Sequence, residues 1–368
     1  MNKRILKNME WGILICTFIL IIIGLVALFS ATQSSDYDEF KKQIIWVLIS
    51  IPVLIVLIIF DYELLIKISP ILYGIILLLL VAVLFTKPIN GASSWFSIGS
   101  ATFQPAEFAK AVIVLFMTYV ITKVQSKGKK EINVWYKLGI ILAAAMVPIL
   151  LIVKQPDFGT AMAFIMSLIF MLFVANIDKK YIIVAFLLVI ILLPIMYFFV
   201  LPEHAKQRID VYLNPNIDPR GAGYNIIQSK LAIGAGQVFG MGLLKGNQTQ
   251  LGFLYPKTTD FIFSVIGEEM GFIVAAAIIV IYVLLVTKAM YIAKTAKDEE
   301  GAYIAAGIAG IFFFHMLENI GMTMGLLPIT GIPLPFVSYG GSSLLSNMIM
   351  IGILLNISGR RQKTILVE

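Results

Sequence analysis

Residues 44–60 read IIWVLISIPVLIVLIIF. This run is continuous rather than alternating. A spanning β-barrel strand would be about ten residues of alternating apolar and polar character, so the run reads as a helix. A bilayer core of about 30 Å calls for roughly 20 apolar residues in helical form. Nine further stretches of similar character divide the chain. The expected spans are 11–30, 43–60, 69–86, 105–123, 136–153, 159–176, 181–201, 261–286, 302–323 and 339–357. Of 368 residues, 60% are hydrophobic and 13% charged, and the mean hydropathy is +0.95. A soluble domain carries about 25% charged residues, so the composition implies a polytopic all-α membrane protein. The expected domain organisation is one membrane unit over 1–368, with one long external connection at about 202–260.

The basic residues set the orientation. Lys3, Arg4 and Lys7, Lys67, Lys123 to Lys137, Lys179 and Lys180, Lys288 to Lys297, and Arg360 to Lys363 all fall on one side of a ten-span bundle. The positive-inside rule assigns that side, with both termini, to the cytoplasm. The net charge of +7 therefore reflects topology and gives no reason to expect a nucleic-acid partner. The first run, Trp11 to Ser30, lacks a small-residue cleavage pattern and is read as a membrane helix rather than a signal peptide. Cys16 lies inside it and reads as a small buried hydrophobe.

Two external segments stand apart. Residues 224–244, YNIIQSKLAIGAGQVFGMGLL, are too polar and glycine-rich to span and read as an amphipathic helix lying at the interface. Residues 325–343, GLLPITGIPLPFVSYGGSS, are apolar but broken by Pro328, Pro333 and Pro335. Irregular backbone of this kind is tolerated at membrane depth only when it is buried in protein or lines a cavity.

Charges inside spans are costly and need a partner or a purpose. Glu107 and Lys110 are three apart and share a helix face. They form either a packing ion pair or part of a polar cavity that orients a substrate. Asp260 stands where the long connection meets the eighth span. There it is either a helix N-cap or a reactive carboxylate. Ser264, Gly267 and Gly271 follow it at helical spacing, with Glu268 and Glu269 two turns deeper. Asp157 precedes another span and suits a cap in the same way. Trp11, Trp46 and Trp135 read as interfacial anchors. Trp95 lies in a polar external segment and reads as either an anchor or a stacking surface for a sugar. Two histidines, His204 and His315, are too few for a histidine-built metal site, and His315 reads as packed. No GxxxxGK[ST], GxSxG or HExxH pattern occurs, which argues against ATP hydrolysis, serine hydrolase chemistry and zinc protease chemistry.

Five motifs occur in order: NGASSW (90–95), FQPAEFAK (103–110), QPDFGT (155–160), KTTDFIFSVIGEEMGF (257–272) and PLPFVSYGGSS (333–343). Together they resemble the SEDS family of shape, elongation, division and sporulation proteins, over nearly the whole chain, and look closer to its RodA branch than to its FtsW branch. The resemblance implies a peptidoglycan glycosyltransferase. Such an enzyme joins lipid II units to a growing glycan carried on undecaprenyl pyrophosphate. Asp260 matches the family's essential aspartate and becomes the candidate general base. The resemblance also implies dependence on magnesium or manganese, with ligands this sequence does not identify. It implies a class B penicillin-binding protein transpeptidase as partner, within the elongation machinery. Substrate-binding candidates are Trp95, Glu107, Lys110, Asp157, Arg208, Lys230 and Ser338. Among them Lys110, Arg208 and Lys230 are the cations available to a leaving pyrophosphate. One departure lies at 257–259, Lys-Thr-Thr, where many relatives carry histidine directly before the threonine and aspartate. A role for that histidine has no counterpart here. The rival readings are a lipid II flippase or transporter and a passive scaffold. The absence of an internal repeat argues against the first.

Overall fold

The structure is a computed structural model. It describes residues 3–87, 93–98, 101–200, 203–214, 217–218 and 221–361. Short α1 (Lys3–Asn8) leads into long helices α2 (Trp11–Ala31), α3 (Asp38–Ile59) and α4 (Tyr62–Val83). A small antiparallel hairpin follows, β1 (Phe96–Ile98) with β2 (Ala101–Phe103), pairing Phe96 with Phe103. Then come α5 (Pro105–Val124), α6 (Trp135–Val153), α7 (Phe158–Val174) and α8 (Lys179–Ile195). The long connection contains α9 (Glu203–Leu213), α10 (Ala222–Ala235) and the single turn α11 (Asn247–Gln250). The chain ends with α12 (Ile262–Thr295), α13 (Glu299–Thr323) and α14 (Gly341–Arg360).

Among the described residues, seven helices are long and apolar enough to cross a membrane: α2, α3, α4, α6, α12, α13 and α14. Helix α7 is apolar but shorter, at 17 residues. Helix α5 has the length, at 20 residues, but carries Glu107, Lys110 and Lys123. The expected boundaries agree with the helices to within a few residues at most ends, because long apolar runs leave little freedom in where a helix lies.

Helix α13 is the axis of the bundle. In its most apolar stretch 89% is buried, against 22% in α3 and in α4, so α3 and α4 stand at the outside of the bundle. Close approach of α7 to α13 depends on small residues. A Cβ on Gly310 would sit 2.9 Å from the Met166 carbonyl oxygen, and the Ser167 hydroxyl donates to the Gly307 carbonyl at 2.9 Å. Helices α4, α7 and α13 are each started by an aspartate N-cap: Asp61, Asp157 and Asp298 accept from backbone N–H groups of Glu63, Thr160 and Gly301. This is the residue type that best satisfies the open donors of a first turn.

The start of α2 and the ends of α12 and α14 meet. Glu10 accepts from Lys288 Nζ at 2.9 Å and lies 3.7 Å from Arg361. The Ser358 hydroxyl receives the Glu10 backbone N–H. The described chain therefore begins and finishes at the same end of the bundle.

Helix α12 is broken. Gly271 has φ 79° and ψ −178°, a conformation a Cβ disfavours. The 24 residues after it, at 1.5 Å each, reach about 36 Å and suffice to span. The freed backbone groups are taken up by residues 237–242. Met241 and Gly242 donate to the carbonyls of Glu268 and Glu269, while Phe272 and Ile273 donate to those of Gln237 and Val238. The expectation of one interfacial helix over 224–244 is thus corrected. Its first half is α10, whose Ser229 hydroxyl bonds that of Ser264 on α12 at 2.6 Å. Its glycine-rich second half is backbone laid into the break. A Cβ on Gly240 would sit 2.2 Å from the Glu269 carbonyl oxygen.

Candidate functional site

At the end of the bundle opposite the termini, α5, α7, α13 and the proline-rich 325–340 segment converge beside Asp260. Helix α12 begins at Ile262, with Phe261 in the capping position and no side-chain cap. Asp260 therefore precedes the cap and does not fill it. Its side chain is partly exposed. Its Oδ2 lies 3.4 Å from where a Cβ on Gly331 would sit, so the missing side chain of Gly331 leaves room beside the carboxylate.

The backbone around Asp260 is fixed by the proline-rich segment. The Ser338 hydroxyl donates to the Thr259 carbonyl at 2.7 Å and accepts the Leu334 N–H at 2.8 Å. Tyr339 N–H donates to the Thr258 carbonyl at 2.9 Å. Gln43 on α3 bonds Ser338 and Gly340 through their backbones, and Tyr282 on α12 donates to the Pro335 carbonyl. Ser338 is buried and holds the turn in place. Trp46 is half-buried and packs on Gly341 at the start of α14. Trp11 and Trp135 are exposed, as anchors are.

Helix α13 holds the same segment from below with residues at i, i+3 and i+4. His315 Nδ1 lies 3.0 Å from the Pro333 carbonyl, and its Nε2 lies 3.4 Å from Lys110 Nζ. The tautomer with the proton on Nδ1 satisfies both contacts. Glu318 Oε1 accepts from the Thr330 hydroxyl at 2.9 Å. Asn319 Nδ2 donates to the carbonyls of Asp260 at 3.0 Å and Ile332 at 2.8 Å. Sequence reasoning passed over Glu318 and Asn319. Their signal was visible, since three polar residues share one face of an apolar helix.

Lys110 Nζ lies 2.6 Å from Glu107 Oε2, with side-chain exposures of 0% and 3%. The Ser346 hydroxyl donates to the Glu107 carbonyl, joining this pair to α14. Lys110 is thus enclosed between α5 and α13. Asp157 caps α7 and accepts from Gln104 Nε2 at 3.2 Å. Part of Asp157 remains accessible, yet its surroundings are dense, and burial raises its carboxyl above the usual range, with Glu107 adding to the shift. The adjoining Gln155 carbonyl accepts from Ser94, which ties the segment carrying Trp95 to the same end. Trp95 is half-buried before β1.

Lys230 lies farther out, exposed on α10 with its Cε against Gly325. Arg208 falls within α9, but its side chain lies outside the described residues. Lys257 donates to the Thr249 carbonyl at 2.9 Å, and burial lowers its ammonium from the ordinary lysine value. Glu268, fully buried, accepts from Gln248 N–H, Thr249 N–H and the Thr249 hydroxyl. It and Glu269, which accepts from Gly246 N–H and Gln250 Nε2, organise α11. Among the described residues no three of His, Cys, Asp and Glu converge as metal ligands.

Residues 10–363 match the family model of FtsW, RodA and SpoVE, described as a cell cycle protein. The chain belongs to this family. It is 40% identical over 295 residues to the peptidoglycan glycosyltransferase MrdB of Escherichia coli strain K12, covering 80% of this chain and 78% of that one. It is 30% identical to the peptidoglycan glycosyltransferase RodA of Treponema pallidum, covering 98% and 100%. A solved structure of a peptidoglycan synthase complex, described as coordinating polymerization and crosslinking, superposes with a TM-score of 0.81 at 26% identity, covering 95% of this chain and 97% of that one. The family expected from the five motifs is the family found, and the seven long apolar helices among the described residues are those of a multi-pass membrane protein.

Proposed function

We propose that this chain is a peptidoglycan glycosyltransferase that polymerises lipid II into glycan strands at the outer face of the bacterial cytoplasmic membrane. The observation that carries the reading is a partly exposed carboxylate, Asp260, held on a rigid turn at the end of the bundle opposite the basic termini. The 40% identity to a protein of that named activity supports it. The positive-inside rule places the termini in the cytoplasm and Asp260 outside, in a single membrane domain of ten spans.

A sugar hydroxyl is a weak nucleophile near neutral pH. A positioned base that takes its proton contributes roughly 10²–10⁴-fold, and Asp260 fills that role for the acceptor 4-hydroxyl. The hydroxyl oxygen attacks the donor's anomeric carbon, the bond to the undecaprenyl pyrophosphate breaks, and the configuration inverts. Negative charge on the leaving group calls for cations, and exposed Lys230 and the α9 residue Arg208 are the candidates on this side. Lys110 is enclosed and acts through the position of α5 and α13. Trp95 and Asp157, whose segments are tied together through Ser94 and Gln155, are further candidates for substrate contact. A magnesium or manganese ion, which favours diphosphate oxygens and one or two carboxylates, would bind with the substrate diphosphate and help to neutralise the leaving group.

The family neighbour in a complex that couples polymerization and crosslinking supports a class B penicillin-binding protein transpeptidase as partner, within the elongation machinery. One observation favours the rival carrier: α12 is a broken helix, a feature of transporters. Its break is closed by the chain's own backbone, which argues for a fixed scaffold. The deciding experiment mixes purified protein with labelled lipid II and a divalent cation. Glycan polymer resolved on a gel supports the enzyme. Lipid transfer across vesicles without polymer supports the carrier.

A further inference from the structure

The strongest unassigned feature beside the site is the side chain of Asn319. It is fully buried on α13. Its amide nitrogen has two protons and makes two bonds, to the carbonyl of Asp260 at 3.0 Å and to that of Ile332 at 2.8 Å. It joins, across one atom, the backbone of the candidate base to the irregular segment that carries Gly331. One residue earlier, Glu318 holds Thr330. The two α13 side chains therefore grip the chain on both sides of Gly331, the residue beneath the Asp260 carboxylate.

The amide is retained at a cost. Asn319 Oδ1 is buried and finds no hydrogen-bond partner among the described residues. A buried polar atom left unsatisfied is uncommon and calls for a reason. No purely apolar residue would carry that penalty, but none would supply two donors to two carbonyls. A hydroxyl would supply one. An asparagine is the neutral side chain of this length that meets both acceptors.

We infer that Asn319 is a positioning residue for glycosyl transfer: it fixes the backbone of Asp260 against the Ile332 segment and so sets where the carboxylate meets the acceptor hydroxyl. The inference rests on the reading of Asp260 as the base. A displacement of about 1 Å at a reacting centre costs on the order of 10²-fold in rate, whereas substrate binding elsewhere along the site is untouched.

The test uses full-length protein in detergent or liposomes, with labelled lipid II, and compares the parent with Asn319→Ala, Asn319→Ser and Asp260→Ala. Rates are expressed per folded protein, after a thermal-unfolding check. Asn319→Ala is expected to lower kcat at least tenfold with KM within about twofold, and to displace the acidic limb of the kcat/KM profile, which reports the free enzyme's base. Asn319→Ser, which restores one donor, is expected to fall between parent and Asn319→Ala, and it carries the test if Asn319→Ala does not fold. Parental kcat and an unmoved acidic limb in whichever variant folds, with only a lower unfolding midpoint, would overturn the inference and leave Asn319 a packing residue. If neither variant folds, the position is structural and the inference is likewise overturned. Parental activity in Asp260→Ala is a separate result: it removes the base itself, whatever the Asn319 variants do.

Discussion

Lys110 and Glu107 form an ion pair, 2.6 Å apart and sealed from solvent, one turn below the start of α5. His315 touches the same ammonium from α13. Removing one partner of such a pair strands a buried charge, at a cost of about 3–5 kcal/mol. Glu107→Gln is therefore expected to lower the thermal unfolding midpoint of the purified protein strongly, and polymer yield with it. Replacing both together, as Glu107→Leu with Lys110→Met, is expected to destabilise less than Glu107→Gln alone. An unchanged midpoint in Glu107→Gln would mean that the pair is dispensable.

The break in α12 yields a second prediction. Gly240 has φ +83°, and a Cβ there would collide with the Glu269 carbonyl at 2.2 Å. Gly240→Ala incurs roughly 1–2 kcal/mol for the left-handed backbone alone, before the clash lifts residues 237–242 away from their four backbone bonds with α12. Limited proteolysis is expected to cut the 236–250 stretch several-fold faster than in the parent. Equal protection would show that the insert does not depend on this contact.

Asp157 supplies a pH dependence. Burial raises its carboxyl in the folded state, so the folded protein binds this proton more tightly than the unfolded chain does. The ionised side chain is thus a liability at neutral pH. That liability is relieved as pH falls through the raised folded value, and the relief is complete below the unfolded aspartate value of about 3.9. Asparagine also caps helices well. Asp157→Asn is expected to gain stability relative to the parent at neutral pH and to lose that advantage on acidification, read as the difference in unfolding midpoint across pH. A constant difference across pH would contradict the assignment.

The spans were legible because a helix in lipid needs a long apolar run and little else. The pair Glu107–Lys110 was legible as two charges three apart. Residues 236–244 were not, because glycines that serve a close backbone contact look the same as glycines in a loose loop until the partner, here the α12 break, is seen. The hairpin at 96–103 was missed because three-residue strands carry no readable alternation. The capping reading of Asp260 stayed open in sequence because one residue of displacement decides it, and the helix begins with Phe261 as its cap. His315, Glu318 and Asn319 show the reverse case. Their spacing was visible, but their common target, the Thr330–Pro333 stretch, lies a loop away and only the fold brings it above them.

The role of Asp260 is tested most directly by measuring initial rates of lipid II polymerisation by the parent, Asp260→Ala and Asp260→Asn at matched folded concentration. The account predicts polymer from the parent and a loss of at least roughly 10²-fold in both variants, with unfolding midpoints near that of the parent. Polymerisation by folded Asp260→Ala at the parental rate would contradict it.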